Sequence, residues 1–431
     1  MWYKPLATAV DRAPSSRNSP GRKTTAMAPA QHNRVCVLTT AYPDRPGGTR
    51  GVFIHELCRR LVVRGHQVDV VTPRVLPASN ATERIEGVRV WRFPFPTEGK
   101  VLAQYDTVPV RRMVPWMLSA TRHTLGVVEA ADCDVIHAHW VVPMGVVARI
   151  ASAWTGRPYV VSSHGLDLMK WSRHRAIRPL ARWSVQRAKA YSSCNDAMVD
   201  EFARLGADRR RLLLIRESGA DTDLFRPGVS AERVRRNLRL TAAEQIVLFV
   251  GHLMPRKGPD VLLRAFSRVA QEFPGARLVI VGSGEDEGAL RLLSRDLGVA
   301  TRTDWLGLIP HDELPAYFVA ADVFVLPSWS EGFPHVLMEA AACGVPAVAS
   351  NIPGNSGLVV EGVTGLLFEP GDVGGLAEGL RKLLADPCLR GSMAASARNR
   401  AEELFRAEDQ TRKVEELYRC ALAGDSRLSP P

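Results

Sequence analysis

The sequence lacks several features that would each have indicated a particular class of protein. It has no run of about 18 apolar residues, so no membrane-spanning helix is predicted. Its 7 cysteines are scattered and never form a CxxC pair, which argues against a disulfide framework or a zinc ribbon and favours a reducing compartment. It has no Walker A loop, and the loose pattern of Gly282, Gly284 and Gly288 is a weak dinucleotide signal.

The charge is unbalanced toward the positive side. A formal net charge of +11 is compatible with simple solubility, or with attraction to an anionic surface such as phospholipid or nucleic acid. Residues 1–30 are rich in Pro, Ser, Arg and Lys and lack the apolar centre of a secretion signal, so we expect a disordered basic tail. We therefore expect a cytoplasmic protein, with peripheral attachment to the inner face of the cell membrane as a further option.

Two series of strand and helix patterns divide the chain. The first series opens with an apolar strand at Arg34–Thr40, a glycine loop and a helix from about Val52 to Arg64, and the second opens at Ile246–His252. Strands that are nearly all apolar and alternate with helices indicate a parallel sheet covered on both faces. The prediction is an α/β protein with two Rossmann-like domains facing across a cleft. Its expected parts are the tail (1–30), a first domain (31–222), a second domain (223–405), and a terminal helix and tail (406–431).

The stretch from Leu326 to Ser350 reads LPSWSEGFPHVLMEAAACGVPAVAS and carries the strongest functional signal. Glu331 and Glu339 stand with seven residues between them, and Pro334 predicts the start of a helix there. The free N–H groups at a helix start bind anions, whereas carboxylates accept hydrogen bonds from hydroxyl groups. The combination indicates a ligand that carries both phosphate and sugar or ribose hydroxyls.

This stretch resembles the signature of the family 4 retaining glycosyltransferases, and the resemblance extends over roughly Arg34 to Ala421. The spelling GVFIHEL is similar to members that build bacterial surface polysaccharides. The resemblance implies the GT-B fold, with a C-terminal helix that crosses back to the first domain. It also implies transfer of a sugar from a nucleotide-diphosphate-sugar to a glycan, a lipid-linked acceptor or a small molecule, with retention and without a metal or other cofactor.

The same resemblance assigns roles around the two acids. Glu339 would hold the ribose hydroxyls, and the turn at Gly307–Pro310 would place Ile309 against the nucleotide base. Glu331 would hold the donor sugar together with the backbone of the segment that follows it: Gly332, Phe333, Pro334 and His335.

A second group of assigned residues concerns the diphosphate. Arg256 and Lys257 follow a strand's carboxyl end, where fixed cations can neutralise a leaving group, and Lys257 matches the family's lysine. His252 occupies the position of the family's arginine, so either Arg256 substitutes for it or the chain uses a neutral or pH-dependent donor. Gly48 and Gly51 belong to the loop that approaches the diphosphate from the first domain.

His164 follows the strand in PYVVSSHGLDL and matches the family's strand–HG–x–D loop, whose histidine lies beside the transferred sugar. Asp167 is expected to orient it. His137 and His139 share one strand face, but a metal would need a third ligand, so packing or an acceptor-side role is favoured. The DxD patterns at 132–134 and 221–223 are read as chance.

The segment 170–189 carries seven Lys or Arg residues, no acid, and Trp171 and Trp183. It is typical of a basic amphipathic helix lying on an anionic membrane, or of an ordinary solvated helix. Nucleic acid is not expected, because no recognition motif accompanies the charge. Two alternatives to a transferase stay open: a nucleotide-sugar 2-epimerase, and a catalytically silent nucleotide-sugar binder, which His252 makes conceivable.

Overall fold

The computed structural model describes residues 32–45, 48, 50–95, 102, 110–165, 167–168, 172, 174–194, 196–216, 219–241 and 243–424. The first sheet within this part of the chain has eight strands in the order β3-β4-β2-β1-β5-β6-β7-β8. All neighbours are parallel except β3 and β4, which form a hairpin that the sequence did not predict. The strands are β1 (Arg34–Leu38), β2 (Gln67–Pro73), β3 (Thr82–Ile85), β4 (Val88–Phe93), β5 (Val135–His139), β6 (Tyr159–Ser163), β7 (Ala190–Ser193) and β8 (Leu212–Leu214).

A second sheet follows, with six described strands that are all parallel, in the order β11-β10-β9-β12-β13-β14. Because the carboxyl ends of parallel strands meet at one edge, the loops after β9, β10 and β12 lie together. The strands are β9 (Gln245–Val250), β10 (Ala276–Val281), β11 (Thr303–Trp305), β12 (Val323–Leu326), β13 (Ala347–Ser350) and β14 (Gly365–Phe368).

Helices connect the strands of both sheets. Those of the first half are α1 (Val52–Val63), α2 (Val110–Ala130), α3 (Met144–Thr155), α4 (Arg178–Val185) and α5 (Asp196–Arg204). Those of the second half are α6 (Glu232–Asn237), α7 (Pro259–Val269), α8 (Glu287–Asp296), α9 (Leu314–Ala320), α10 (His335–Ala342), α11 (Pro353–Ser356), α12 (Val373–Ala385), α13 (Pro387–Leu404) and α14 (Ala407–Ala423).

The strands are buried on both faces, as their apolar runs predict. In β1, Val35 and Val37 pack into a core shared with α1 and α14, whereas Cys36 and Leu38 pack into a core shared with α2 and α3. This alternation follows from the two-residue period of a strand. The second sheet has the same arrangement. In β9, Val247 and Phe249 pack toward α7 and α12, whereas the alternate residues Ile246, Leu248 and Val250 face the other way.

The C-terminal segment differs in one respect from the sequence prediction of a single helix from about Leu389 to Ala421. The helix is interrupted between α13 and α14, where the backbone forms a β-bridge with the linker that leaves the first sheet. The N–H of Ala220 donates to the carbonyl of Phe405 at 2.7 Å, and the N–H of Ala407 donates to the carbonyl of Ala220 at 3.1 Å. Backbone groups engaged in this way cannot continue an α-helix.

Beyond the interruption, α14 packs on the first sheet. The hydroxyl of Tyr418 lies 2.8 Å from Nδ1 of His137 on β5, and Glu415 accepts two hydrogen bonds from Arg64 at 2.6 and 2.8 Å. The predicted fold class is thereby confirmed: two parallel-sheet Rossmann-like units, with the terminal helix returning to the first. Among the described residues, no helix is long and apolar enough to cross a membrane.

The basic segment is only partly helical. The structure forms α4 from Arg178 to Val185 and turns on both sides of it, so the predicted continuous amphipathic helix over 170–189 is wrong. Pro179 at the start of α4 suits the first helical turn, where its missing N–H needs no partner. Lys170, Trp171 and Arg173 lie outside the described residues.

Candidate active site

A cavity of about 330 Å³ lies at the carboxyl edge of the second sheet. Its walls come from the turns after two adjacent strands, with Gly251 and His252 following β9 and Gly282 and Ser283 following β10. The turn containing Leu308 and Ile309 forms another part of the wall, as do the first residues of α10. A cavity at this edge of a parallel sheet is where α/β proteins bind ligands.

Helix α10 presents its N-terminus to this cavity. It begins at His335, directly after the predicted Pro334, which is its N-cap and makes no side-chain cap hydrogen bond. His335 and Val336 are the first two residues of the helix and both line the cavity. The start of a helix is a common site of anion binding. The arrangement suits an anion such as a phosphate group.

Glu339 lies one turn further along α10, on the same cavity wall. It is buried, and its Oε1 lies 2.9 Å from Nε2 of His311, which also lines the cavity. Burial lowers the pKa of His311, but the hydrogen bond to Glu339 and the nearby carboxylates raise it, and the net pKa lies above the ordinary value. The sequence did not indicate His311; its place directly after the GLIP turn was the available signal.

Glu331 is held by a different set of partners. Its Oε1 accepts hydrogen bonds from Nζ of Lys257 and from the hydroxyl of Ser328, both at 2.6 Å. Arg256 donates to the carbonyl of Ser330 at 2.9 Å, and its guanidinium lies 4.0 Å from the other carboxylate oxygen of Glu331. Because β9 and β12 are neighbours, the loops carrying Lys257 and Glu331 meet despite their distance in sequence.

His164, which directly follows the carboxyl end of β6, is paired with a second histidine. Its Nε2 lies 2.8 Å from Nδ1 of His139, and the two rings are nearly parallel. Burial lowers the pKa of His139 well below the ordinary value and that of His137 to about 3, so both of these rings are neutral at physiological pH. Strands β5 and β6 are neighbours, which explains why His139 at the end of one meets His164 just after the other.

Asp167 accepts hydrogen bonds from the loop that carries His164 and from the residue after Trp140. One of its oxygens accepts from the N–H of Val141 at 2.8 Å, and the other from the hydroxyl of Ser163 at 2.8 Å and the N–H of His164 at 3.3 Å. Burial raises the pKa of this carboxyl, while these hydrogen bonds oppose the increase. These contacts include the backbone of His164, and the role of Asp167 in orienting its ring stays a prediction.

The two halves of the chain touch at the site. Gly165 and Gly332 are in backbone contact: a Cβ added to Gly165 would lie 2.5 Å from Cα of Gly332, and one added to Gly332 would lie 2.2 Å from the carbonyl oxygen of His164. Nearby, Phe53 of α1 stacks on His335 with ring centroids 4.9 Å apart and meets His164 edge-on at 5.1 Å. Glycine is thus needed at 332 because no side chain fits between the loops.

The structure brings only part of the predicted set onto the cavity wall. His252, Ile309, His335 and Glu339 line it, whereas the described lining does not include the remaining predicted residues. Lys257 and Arg256 are turned toward Glu331 and Ser330, and Phe333 is buried near Phe405. Two more are glycines of the loop before α1: Gly48, whose N–H donates to the carbonyl of Arg45, and Gly51, the positive-φ cap of α1. The remaining predicted residues outside the lining, described above, are His164, Asp167, Glu331, Gly332 and Pro334.

Within the described residues, no cluster of three or more His, Cys, Asp or Glu side chains has the arrangement of a metal site. His137 instead makes two contacts inside the first core, to the hydroxyls of Tyr418 at 2.8 Å and Ser162 at 2.7 Å. The structure gives it a packing environment.

Comparisons with known proteins agree with this two-domain geometry. The model described as "Glycosyl transferase 4-like domain" matches residues 47–217, and "Glycosyl transferases group 1" matches residues 230–400. The D-inositol 3-phosphate glycosyltransferase of Acidothermus cellulolyticus is 32% identical over 375 residues, covering 80% of this chain and 81% of that protein. The chain belongs to the family 4 glycosyltransferases of the GT-B fold and is a glycosyltransferase.

Other similar proteins span several substrates. The GDP-mannose-dependent alpha-(1-6)-phosphatidylinositol monomannoside mannosyltransferase of Mycobacterium tuberculosis is 29% identical, over 78% of this chain and 85% of that one. Sucrose-phosphate synthase from Thermosynechococcus elongatus has a TM-score of 0.75 at 23% identity, covering 91% of this chain and all of its own. Anabaena HepE in complex with UDP-glucose has a TM-score of 0.71 at 22% identity, covering 89% and 99%. These two structures share the fold.

Proposed function

We propose that this glycosyltransferase moves a sugar from a nucleotide-diphosphate-sugar to a phosphorylated polyol or a polyol-containing lipid, with retention of configuration and without a metal ion. The observation that carries the proposal is the cavity at the second sheet's edge. Its wall combines the N-terminus of α10, the buried Glu339 and the apolar turn at Ile309. These three parts match a diphosphate, ribose hydroxyls and a base, respectively.

The reacting end of the donor is assigned to the place where both halves of the chain meet. Glu331, held by Lys257 and Ser328, lies on the loop that touches His164 through Gly332. A sugar bound beside these groups would have its hydroxyls near a carboxylate and its leaving phosphate near the helix start. His252, exposed on the cavity wall, is positioned to donate to the diphosphate in place of the family's arginine. No nucleophilic side chain is assigned, which suits front-face transfer.

The names of two relatives support the proposed class of acceptor. The two curated relatives described above are named for D-inositol 3-phosphate and for a phosphatidylinositol monomannoside. Both acceptors contain a cyclic polyol with a phosphate group. The shared chemistry supports a polyol phosphate, free or in a lipid headgroup, as the class of acceptor for this chain.

A donor and acceptor screen tests the proposal. UDP-sugars and GDP-sugars are incubated with the full chain and inositol phosphate, and nucleoside-diphosphate release and the product's anomeric configuration are measured with and without EDTA. We expect release that depends on the acceptor, a product with the donor's configuration, and no effect of EDTA. An inverted product or loss of activity in EDTA would contradict the mechanism. Turnover without net transfer would indicate the epimerase, and binding without release a silent binder.

Peripheral membrane attachment is a further part of the proposal. Around α4 several cations are exposed, and Trp183 is 38% exposed with the Arg149 guanidinium 4.1 Å from its ring. Cations near an anionic bilayer contribute about 1 kcal/mol each, so several together support reversible docking. The exposed cations of the segment are Arg175, Arg178, Arg182, Arg187 and Lys189.

Vesicle sedimentation tests this attachment. We expect the chain to sediment with anionic vesicles at low salt and to be released at high salt, because screening acts over about 8–10 Å. Changing Arg178, Arg182, Arg187 and Lys189 together to Gln should abolish sedimentation. The matched control changes four exposed arginines elsewhere to Gln and should leave it intact: Arg236, Arg264, Arg268 and Arg295. Equal binding of both variants, or equal binding to neutral vesicles, would show that α4 is an ordinary solvated helix.

A further inference from the structure

The side chain of Glu339 has a partner to which neither the sequence motif nor the family resemblance gives a role. Nε2 of His311 lies 2.9 Å from Oε1 of Glu339, and both residues line the cavity of about 330 Å³. Because an ionised carboxylate only accepts hydrogen bonds, Nε2 must carry the proton in this contact. A carboxylate has a second oxygen with its own acceptor sites, and that oxygen is not needed for the histidine.

We propose that His311 is a positioning residue for nucleotide binding: it fixes one oxygen of Glu339 and leaves the other to accept from a ribose hydroxyl. The inference rests on the proposed function, which places a nucleotide in this cavity. Glu339 is buried, so its carboxylate would be poorly stabilised without a hydrogen-bond donor. A fixed partner preorganises the acceptor before the nucleotide arrives.

His311 is itself fixed by its surroundings. The ring of Phe225 lies 5.1 Å from the imidazole centroid, and His311 and Glu339 also line a smaller cavity of about 90 Å³ that reaches the first domain. Charged groups face it there from two other elements. They are Glu56 and Arg60 of α1 and Asp221 of the linker.

These charges give the contact a pH dependence. Burial opposes the doubly protonated imidazolium, whereas Glu339, Glu56 and Asp221 favour it and prevail. A charged donor makes a stronger hydrogen bond to a carboxylate than a neutral one. When the second proton leaves Nδ1 at higher pH, Nε2 still donates to Glu339, so nucleotide binding should weaken rather than disappear.

The test uses nucleotides that differ only in the ribose. Binding of UDP and GDP, and of their 2′-deoxy and 3′-deoxy forms, is measured by titration calorimetry on the full chain from pH 5.5 to 8.5. The variants are His311→Leu, which cannot donate, His311→Gln, whose amide can donate without a charge, and Glu339→Gln. His123→Leu serves as the matched control, because His123 lies on α2 and bonds the carbonyl of Ser119.

We expect the wild type and the control to prefer the ribonucleotide over at least one deoxy form. His311→Leu should bind the ribonucleotide roughly 10-fold to 100-fold more weakly, the range of a hydrogen bond to a charged group, with little change for the deoxy form. His311→Gln should keep most of the preference for the ribonucleotide over the deoxy form, but this preference should no longer depend on pH. The last result is one that a merely structural histidine would not produce.

The outcomes distinguish the positioning role of His311 from the proposed donor site on which it rests. If Glu339→Gln removes the ribose preference but His311→Leu keeps it, the positioning role is wrong and the proposed donor site stands. If Glu339→Gln keeps the preference, or if the wild type binds no nucleoside diphosphate, the proposed donor site itself is wrong. If His311→Leu does not fold, the His311→Gln titration decides, since an unchanged pH dependence in that variant overturns the inference.

Discussion

The ion pair between Lys257 and Glu331 allows a quantitative test of how the site is built. The side chains are only 18% and 7% exposed, and their charged atoms lie 2.6 Å apart. Lys257→Met would leave a buried carboxylate with the hydroxyl of Ser328 and, at 4.0 Å, the guanidinium of Arg256. Removing one partner of a buried pair lowers the free energy of unfolding by about 3–5 kcal/mol. Because Glu331 keeps other partners and the pair is partly exposed, we expect a loss of about 2–3 kcal/mol for Lys257→Met.

Removing Glu331 instead of Lys257 should lower the free energy of unfolding by less. Glu331→Leu leaves Lys257, whose ammonium group can reach water because its side chain is the more exposed of the two. The double variant Lys257→Met with Glu331→Leu removes both charges, and replacing a buried pair by apolar groups is often close to neutral. We therefore expect a coupling energy of about 1–3 kcal/mol between the two positions. All three variants should lose sugar transfer, so stability and activity would separate in the double variant.

Hydrogen exchange is the appropriate assay, because a chain with two sheets need not unfold in one step. The opening free energy of amides in the strands of the second sheet, β9 and β12 above all, reports the domain that holds the pair. Additive losses of stability in the single and double variants would contradict this prediction. If the double variant loses the sum of the two single losses, the two charges do not stabilise each other.

Three further outcomes are expected. His252→Arg should preserve or raise donor turnover in the release assay, because it restores a fixed cation on the cavity wall, and loss of donor binding would contradict the assignment of this loop. Gly332→Ala places a Cβ 2.2 Å from the carbonyl oxygen of His164, and the resulting shift of the loop should lower turnover by about 100-fold. The control is Gly391→Ala in α13, where the space around the glycine is open. This variant should be active and up to about 1 kcal/mol more stable in a thermal melt. His137 has a pKa of about 3 in the fold, so between pH 7 and pH 5 only the unfolded chain takes up its proton. Lowering the pH over this range should therefore reduce stability by about 2 kcal/mol more than in His137→Asn, when the opening free energies of amides in β5 are compared by hydrogen exchange. An equal pH dependence of the two proteins would show that this histidine is not buried in its neutral form.

The sequence by itself determined the apolar strands that open the two sheets and the local geometry of the signature. The apolar runs of the strands are set by burial on both faces, and the two-residue alternation in β1 can be read without the sheet. The placement of α10 after Pro334 and of Glu339 inside it depends on residues a few positions apart. Local backbone preferences therefore suffice to predict them.

Only the tertiary structure decided which side chains meet. Lys257 and Glu331 are 74 residues apart, and their contact depends on β9 lying beside β12. His139 and His164 meet because β5 lies beside β6. The predicted single terminal helix failed for the same reason, since the bridge to Ala220 draws in backbone groups from a segment that no local pattern in 387–423 reveals.

The site shows the same division. The candidate residues proposed to hold a nucleotide-sugar were readable from motif and spacing, because each motif is a short segment with its own backbone geometry. The pairing of Lys257 with Glu331, the contact of His311 with Glu339 and the contact of Gly165 with Gly332 were not readable. Those contacts are made between segments that only strand order and the closing of the two sheets against each other bring together.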